Sequence, residues 1–393
     1  MMHMENGYPG VIILITAFIL LIVGIAEPAV LYAESAGETA DSPVNQPVQE
    51  GGEVITDPGV MDPEMKRWIF TPLPIVFYTT DTGIGGGGLL VAERGTNRTD
   101  IDPLFLQTAL TYTQKKQVEL SLIFNGDFMN GDYRLKGVGG FFNTPSVFFG
   151  VGSEADTEET YERLTAAGEL VGLRRVYGQL YGGPAYQFDY AEYTEYDEAG
   201  AIVSYVPGDD MVRTSGLGAV AEWDCRSSMV YPRYGSYLEL RGFRYGSFLG
   251  SDEDFSLIQA DARAYHSIVP DVILAVQGLV SAGFGEVPLH KMTEYGGVMV
   301  LRGYPFSRFQ DKSGWALQTD IRFPIFKFIG GAVFAAAGQV GEALVDFRQS
   351  GTALCAGAGL RIRPNPASDV RIRLDLGFSP ESFGVYITLM EAF

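Results

Sequence analysis

From about Leu73 to the C-terminal residue, apolar and polar positions alternate along the chain with a period of two. The segments 117–124, 258–264, 315–323 and 370–376 show the pattern most clearly. A period of two is typical of a β-strand that has one apolar and one polar face. Each segment is about ten residues long, which is the length of a tilted strand that crosses a lipid bilayer. The pattern predicts an all-β protein.

A soluble β-sandwich shows the same alternation, so two further observations are needed to choose a fold. The polar face carries charges of both signs, as the wall of an aqueous lumen does, whereas the apolar face is aliphatic and aromatic. We count about sixteen segments, an even number that is too large for one sandwich and is typical of single-chain barrels. The sequence therefore predicts a transmembrane antiparallel β-barrel over residues 72–393, with its longer loops at 150–159, 192–211, 284–313 and 342–351.

The region before the barrel has two different compositions. The apolar stretch Val11–Ala26 is short for a membrane span and small residues follow it, which predicts a signal peptide over residues 1–33 with cleavage after Ala33. Because no Lys or Arg precedes Lys66, a retained anchor and a misplaced start codon stay open as alternatives. Residues 34–71 are acidic and poor in large apolar side chains, so we interpret them as a disordered periplasmic linker.

Charge and cysteine content exclude several classes of function. A net charge of −20 argues against a nucleic-acid partner, since little in the chain could neutralise phosphates. The two cysteines, Cys225 and Cys355, fall on opposite faces of their strands, so we expect no disulfide and interpret both as buried small residues.

Residues that could perform chemistry are few. Of the three histidines, His266 and His290 lack a Ser or Asp setting for a catalytic constellation, so we expect no enzymatic activity. No cluster of Cys and His suggests a metal, and we expect no cofactor. The stretch "DTGIGGGG" (81–88) lacks the Lys-Ser/Thr ending and the helix of a phosphate-binding loop, so we interpret it as a strand and turn with close backbone packing.

Four motifs occur in an order that identifies a family. They are "PIVFYTTDTGIGGGGLL" (74–90), "FFGVGSEADT" (148–157), "WDCRSSMVYPRYGSYLEL" (223–240), and "LRGY" (301–304) followed by "WALQTDIRFPIF" (315–326). Together with the C-terminal Phe393, they resemble the barrel of the BamA/TamA outer-membrane assembly superfamily, the bacterial surface antigen family. The resemblance covers residues 72–393 and does not include the periplasmic POTRA domains of that superfamily.

The resemblance implies a loop that folds back into the barrel lumen and is held there by an ion pair. In this sequence, the loop lock consists of Arg302, Gly303 and Tyr304 of the loop and Asp320 of the next strand, and the period of two also turns Asp320 inward. Members of the family often carry a second acid one strand further on, where this chain has Ala336. The loop lock is then either a single ion pair or uses Glu342 or Asp375 as its second acid.

The resemblance also implies a lateral seam between the first and last strands, which opens so that an incoming strand can pair with the exposed edge. Prolines and glycines in the first two strands would weaken that pairing, although the glycines could also relieve crowding at a turn. The C-terminal aromatic is either a girdle residue of the last strand or an assembly signal. The predicted seam residues are Pro74, Tyr78, Gly85, Gly86, Tyr386 and Phe393.

We therefore expect a barrel in the bacterial outer membrane that assists insertion or translocation of outer-membrane proteins or lipids. Its expected partners are the lipid bilayer, unfolded outer-membrane protein clients, and a separate periplasmic POTRA-type or chaperone protein that delivers them. A passive pore or structural barrel without assembly activity is the alternative. An outer-membrane hydrolase is a third and weaker hypothesis.

Overall fold

The structure is a computed structural model that describes residues 68–79, 83–94, 104–114, 116–229, 231–347, 351–363, 369, 371–389 and 391–393. The expected signal peptide and most of the expected linker lie outside these residues. Among the residues described, there is no helix with the length and apolar character needed to span a membrane.

The alternation in the sequence becomes two faces of a sheet. In the third and fourth strands, Gln107, Thr111 and Glu119 lie on a buried face, while Leu110 and Leu120 are 55% and 45% exposed on the opposite face. Because successive side chains of a strand point to opposite sides, an apolar outer face and a polar inner face follow directly from the sequence.

Eighteen strands are described. They are β1 (Ile69–Thr79), β2 (Gly83–Arg94), β3 (Leu104–Thr113), β4 (Val118–Phe128), β5 (Tyr133–Phe148), β6 (Glu159–Tyr177), β7 (Leu180–Thr194), β8 (Met211–Asp224), β9 (Gly235–Tyr245), β10 (Phe255–Val269), β11 (Val272–Gly285), β12 (Thr293–Tyr295), β13 (Phe309–Asp311), β14 (Ser313–Phe326), β15 (Ile329–Gly341), β16 (Ala353–Ile362), β17 (Ile372–Phe378) and β18 (Phe383–Leu389). Short 3₁₀ helices occur in connections at Ala201–Ser204, Ser247–Leu249, Leu289–Lys291 and Leu344–Asp346.

Sixteen of these strands form one antiparallel sheet, which confirms the predicted number. The order in the sheet follows the chain from β1 to β11 and then from β14 to β18. The remaining strands, β12 and β13, pair with each other inside the long connection between β11 and β14.

Contacts between segments that are far apart in the strand order show that the sheet curls into a barrel, with its polar face around a lumen. Ser153 Oγ, in the β5–β6 connection, donates a hydrogen bond to the carbonyl oxygen of Val340 in β15 at 2.7 Å. The guanidinium carbon of Arg371, which directly precedes β17, lies 3.4 Å from the ring centroid of Tyr231 in the β8–β9 connection. The predicted transmembrane antiparallel barrel is thus the observed fold.

The connections differ between the two ends of the barrel. The β5–β6, β7–β8, β11–β14 and β15–β16 connections (149–158, 195–210, 286–312 and 342–352) are long and lie at one end, which we call the loop end. The other end, the turn end, includes the two-residue connections 178–179, 270–271 and 327–328. Tyr177 and Tyr133 lie near the turn end and are 85% and 42% exposed. Exposed aromatic rings at a barrel end are typical of a membrane interface.

Two sequence-based interpretations differ from the structure. Both cysteines are free and Cys355 is buried, but Cys225 is exposed, so its predicted burial was wrong. It lies just beyond β8 on the side of Trp223, and the apolar face of a barrel is the outer, lipid-facing face. Phe393 was expected to end the last strand, but β18 ends at Leu389 and Phe393 is buried against Tyr265 and Ala275 of the inner wall.

Candidate functional site

The connection between β11 and β14 (residues 286–312), which we call the inward loop, lies in the lumen. Its residues Leu301, Tyr304 and Phe309 are at most 4% exposed. They pack on small residues of the inner wall, namely Ala316, Ala336, Val340, Ala353 and Cys355. Ala336 lies at the position where the resembled family often has an acid. Here it is part of the apolar surface on which the loop packs. The aromatic character of the "LRGYPFSRFQ" stretch fits this interior position.

Arg302 fixes the loop to two strands of the wall. Its Nη2 donates to Asp320 Oδ1 on β14 at 2.5 Å, and its Nη1 donates to Asp375 Oδ2 on β17 at 2.7 Å. The planar guanidinium fork allows one side chain to bind both acids at once. Of the two alternatives for the second acid, Asp375 is the partner, while the side chain of Glu342 is 77% exposed and lies 3.6 Å from Lys312. The guanidinium also stacks on Phe334, 3.6 Å from its ring centroid.

A pair of glycines brings the loop backbone against β17. Gly303 has a φ of +122°, and a Cβ at this position would lie 2.9 Å from the backbone nitrogen of Phe378. Gly377 of β17 faces it, and a Cβ there would lie 2.5 Å from the carbonyl oxygen of Arg302. Only glycine combines this backbone conformation with such a close approach. The glycine after Arg302 is therefore needed for the arginine to reach its acids.

The next contacts of the loop are with the last hairpin, β17–β18. The backbone N–H of Gly303 donates to Tyr386 Oη of β18 at 2.8 Å, and Tyr386 Oη donates to the carbonyl oxygen of Tyr304 at 3.3 Å. Ser382 Oγ, in the connection of the hairpin, donates to the carbonyl oxygen of Gly303 at 2.6 Å. The loop is thus hydrogen-bonded to β18, the strand that forms one edge of the sheet.

The acids that hold Arg302 also bind other arginines. Arg361 Nη1 donates to Asp375 Oδ1 at 2.5 Å, and Arg361 Nε donates to Glu391 Oε2 at 2.7 Å. Arg322 Nη2 donates to the carbonyl oxygen of Phe393 at 3.0 Å. Burial by itself raises the pKa of Glu391, but Arg361, Arg322 and Arg373 outweigh burial and lower the pKa to about 2.

We call this cluster the arginine network. Its members are Arg302, Arg322, Arg361, Arg373, Asp320, Asp375 and Glu391. Sequence reasoning found Arg302 and Asp320 and left Asp375 as one of two choices. It missed Arg322, Arg361, Arg373 and Glu391. The available signal was that Arg322, Arg361, Arg373 and Asp375 all fall on inward positions of β14, β16 and β17, where unpaired charges are costly.

Both edge strands of the seam are described. On β1, Pro74 pairs with Gly88 and Tyr78 with Ile84, so the predicted first-strand residues lie in the β1–β2 ladder. Gly85 and Gly86 of β2 pair with both β1 and β3. Among the described residues, no ladder joins β18 back to β1.

Of the predicted seam residues in the C-terminal part of the chain, only one lies on an edge strand. Tyr386 is on β18, with its hydroxyl turned to the inward loop. Phe393 lies inside the lumen instead of on the edge strand, because Arg322 binds its carbonyl oxygen and stacks near its ring.

Other charges in the lumen are paired along the opposite wall. Arg134 binds Asp127 at 2.7 Å and Glu222 at 3.0 Å, and Arg241 binds Glu169 at 3.1 Å. The Arg134–Asp127 pair joins the neighbouring strands β5 and β4, whereas the Arg134–Glu222 and Arg241–Glu169 pairs each link strands that are three places apart in the sheet. In the described part of the chain, no group of three or more His, Cys, Asp or Glu could hold a metal ion.

His290 lies in the 3₁₀ helix of the inward loop. Neither of its ring nitrogens is accessible to solvent or has a hydrogen-bond partner among the described residues. Burial, with Lys291 and Arg163 nearby, places the pKa of His290 well below its ordinary value. The imidazole is therefore neutral at pH 7. His266, the other histidine considered in the sequence, lies exposed near the end of β10.

The fold and the site define a class: a transmembrane β-barrel whose lumen holds an arginine-anchored loop. The Omp85 superfamily domain matches residues 93–382, so the chain belongs to the Omp85 superfamily. A search of curated proteins finds no match.

Solved structures of similar fold have low sequence identity to this chain. BamA from Haemophilus ducreyi lacking POTRA domains 1–3 is 13% identical, with a TM-score of 0.58 over 82% of this chain and 69% of that one. CdiB from Acinetobacter baumannii is 12% identical, with a TM-score of 0.52 over 82% of this chain and 59% of that one. CdiB from Escherichia coli is 11% identical, with a TM-score of 0.54 over 81% and 62%. The chain thus spans about three fifths of the length of each CdiB.

Proposed function

We propose that this protein is a barrel of the bacterial outer membrane that assists insertion or translocation of outer-membrane proteins or lipids through the seam between β1 and β18. The observation that carries the proposal is the interruption of an otherwise continuous antiparallel ladder at this one junction among the described strands. An unpaired strand edge offers backbone donors and acceptors to an incoming strand. Pro72 and Pro74 on β1 lack an N–H, which weakens closure of the seam.

The content of the lumen supports a lateral route over an axial one. The inward loop packs inside the lumen against β14, β15 and β16, and the β5–β6 connection binds it at the loop end. Gly152 of the β5–β6 connection donates from its N–H to the carbonyl oxygen of Gln310 at 2.8 Å, and Arg308 Nη1 donates to the carbonyl oxygen of Ala155 at 2.7 Å. We propose no chemical step: the working parts are the seam and the loop lock, and a separate periplasmic POTRA-type or chaperone protein delivers the client.

The proposal is tested by closing the seam with a disulfide. In a background of Cys225→Ser and Cys355→Ala, cysteines are placed at Val385 of β18 and at successive positions along β1, and the pair that cross-links is kept. The protein in proteoliposomes is then given a urea-unfolded eight-stranded barrel protein, and folding of that client is followed. Oxidation should abolish the acceleration of client folding, and a reductant should restore it.

A second disulfide provides the matched control. Thr108 and Leu122 face each other across the β3–β4 ladder, which is paired throughout, so a disulfide at these positions should leave client folding unchanged. Full activity with the seam closed would rule out the lateral route. If no variant accelerates client folding but the protein conducts ions in planar bilayers, the passive pore is the correct alternative.

A further inference from the structure

The last strand of the sheet has unusual support. β18 pairs with β17 over seven residues, and among the described strands it has no second neighbour in the ladder. An edge strand held by one short ladder is expected to open easily, because its backbone hydrogen bonds are exposed on one side. Contacts from inside the lumen therefore contribute a large share of what keeps β18 in position.

Those inside contacts come from the inward loop. Tyr386 is the residue of β18 that makes them, since its hydroxyl accepts from the Gly303 N–H and donates to the Tyr304 carbonyl oxygen. A phenol can do both at once because it has one proton and free lone pairs. Ser379 and Ser382 of the β17–β18 connection both donate to the carbonyl oxygen of Gly303.

The same loop residues are fixed to the wall by the arginine network. Arg302 binds Asp375 on β17, and Asp375 pairs directly with Tyr386 across the β17–β18 ladder. Arg361 shares Asp375 with Arg302 and holds Glu391, two residues beyond β18. The edge strand is thus tied to the loop at its middle and to the arginine network beyond its end.

We infer that Tyr386 is a positioning residue that couples the inward loop to the edge strand β18, so that the conformation of the loop determines how firmly this edge of the seam is held. The inference deepens the proposed function, because it assigns a control to the same seam. The coupling between the loop and β18 does not depend on client assembly, so it is tested on the purified barrel alone.

The experiment measures amide hydrogen exchange by mass spectrometry on the full chain in lipid nanodiscs. Tyr386→Phe keeps the ring and removes the hydroxyl, together with both of its hydrogen bonds. Exchange of the β18 amides, residues 383–389, should become about tenfold faster, as expected for the loss of two ordinary hydrogen bonds. Amides of β3, on the opposite side of the seam, should exchange at the wild-type rate.

Tyr265→Phe is the matched control. Tyr265 is also a buried tyrosine of the inner wall, but its hydroxyl has no hydrogen-bond partner among the described residues, so exchange in β18 should stay unchanged. Ser382→Ala, which removes one bond to Gly303, is a milder variant and should speed exchange in β18 by a few-fold. If Tyr386→Phe fails to fold, this variant supplies the measurement.

Two results would overturn the inference. One is β18 exchange in Tyr386→Phe or Ser382→Ala that equals the Tyr265→Phe rate. The other is an equal increase in β3 and β18, which would mean general destabilisation of the barrel. Failure of the seam-closing disulfide to stop client folding would instead refute the proposed function and leave the exchange result standing.

Discussion

Replacing Arg302 with methionine gives the sharpest test of how the inward loop is held. The substitution keeps a long apolar side chain that can still contact Phe334, but it removes the cation between Asp320 and Asp375. Both carboxylates are fully buried, so each loses a charge-assisted hydrogen bond in a place where water cannot replace it.

The magnitude follows from what the two acids retain. Removing one partner of a buried ion pair costs about 3–5 kcal/mol when the remaining charge is left alone. Here each acid keeps a second cation, because Arg361 Nη1 lies 2.5 Å from Asp375 Oδ1 and Arg361 Nη2 lies 3.8 Å from Asp320 Oδ2. We therefore expect a loss of about 3 kcal/mol in the free energy of unfolding, at the lower end of that range.

The assay is reversible urea unfolding in lipid vesicles, followed by tryptophan fluorescence and analysed by linear extrapolation. Arg213→Met is the matched control, because Arg213 forms an exposed pair with Asp252 and its removal should cost less than about 1 kcal/mol. A value for Arg302→Met that lies within 1 kcal/mol of wild type, or equals that of Arg213→Met, would refute the reasoning.

Three further predictions use other residues. Gly303→Ala should destabilise the barrel by about 2 kcal/mol or more in the same assay, since its φ is positive and β17 backbone atoms occupy the space, whereas Gly278→Ala, with open space around it, should change stability by less than about 0.5 kcal/mol. His290 is neutral when folded but titrates near pH 6.5 when unfolded, so its contribution to stability is complete above pH 6.5 and is lost as the pH falls below it. The melting temperature should therefore drop between pH 7 and pH 5, and His290→Gln should reduce that drop. The same drop in His290→Gln as in wild type would contradict the burial of the ring. In detergent micelles, a small membrane-permeant maleimide should label Cys225 on the outer face of the folded barrel and reach Cys355 only after unfolding, and equal labelling rates would contradict the assigned faces.

The strands could be predicted from sequence because each carries its own information. The alternation of apolar and polar side chains is local. Within each strand it predicts which face contacts lipid and which face lines the lumen, without information from any other segment. Asp320 could be paired with Arg302 because it lies on the inward face of the strand that directly follows the loop, in the motif that the resemblance supplied.

The remaining parts of the site depend on contacts between distant segments. Asp375 is 73 residues from Arg302, and although the alternation places it on an inward strand position, nothing local in the sequence shows that β17 lies within reach of the loop. Alternation continues through "FGVYITLMEAF", yet β18 ends at Leu389, and Glu391 beyond it binds Arg361, 30 residues earlier in the chain. Cys225 shows a different limit: its face was assigned from the pattern, but an apolar face of a barrel is in contact with lipid, so burial did not follow.

The binding of Arg302 to acids on two separate strands also constrains the order in which the barrel is built. The acids of the loop lock lie on β14 and β17, so the loop cannot find both partners until nearly the whole wall has formed. Before that point, Arg302 can reach one acid at most in a lumen that is still open to water, where a single ion pair contributes little. Seating of the inward loop is therefore a late folding event that follows the slow, non-local pairing of the wall. A protease that cleaves the loop only in unfinished barrels would report the moment of completion.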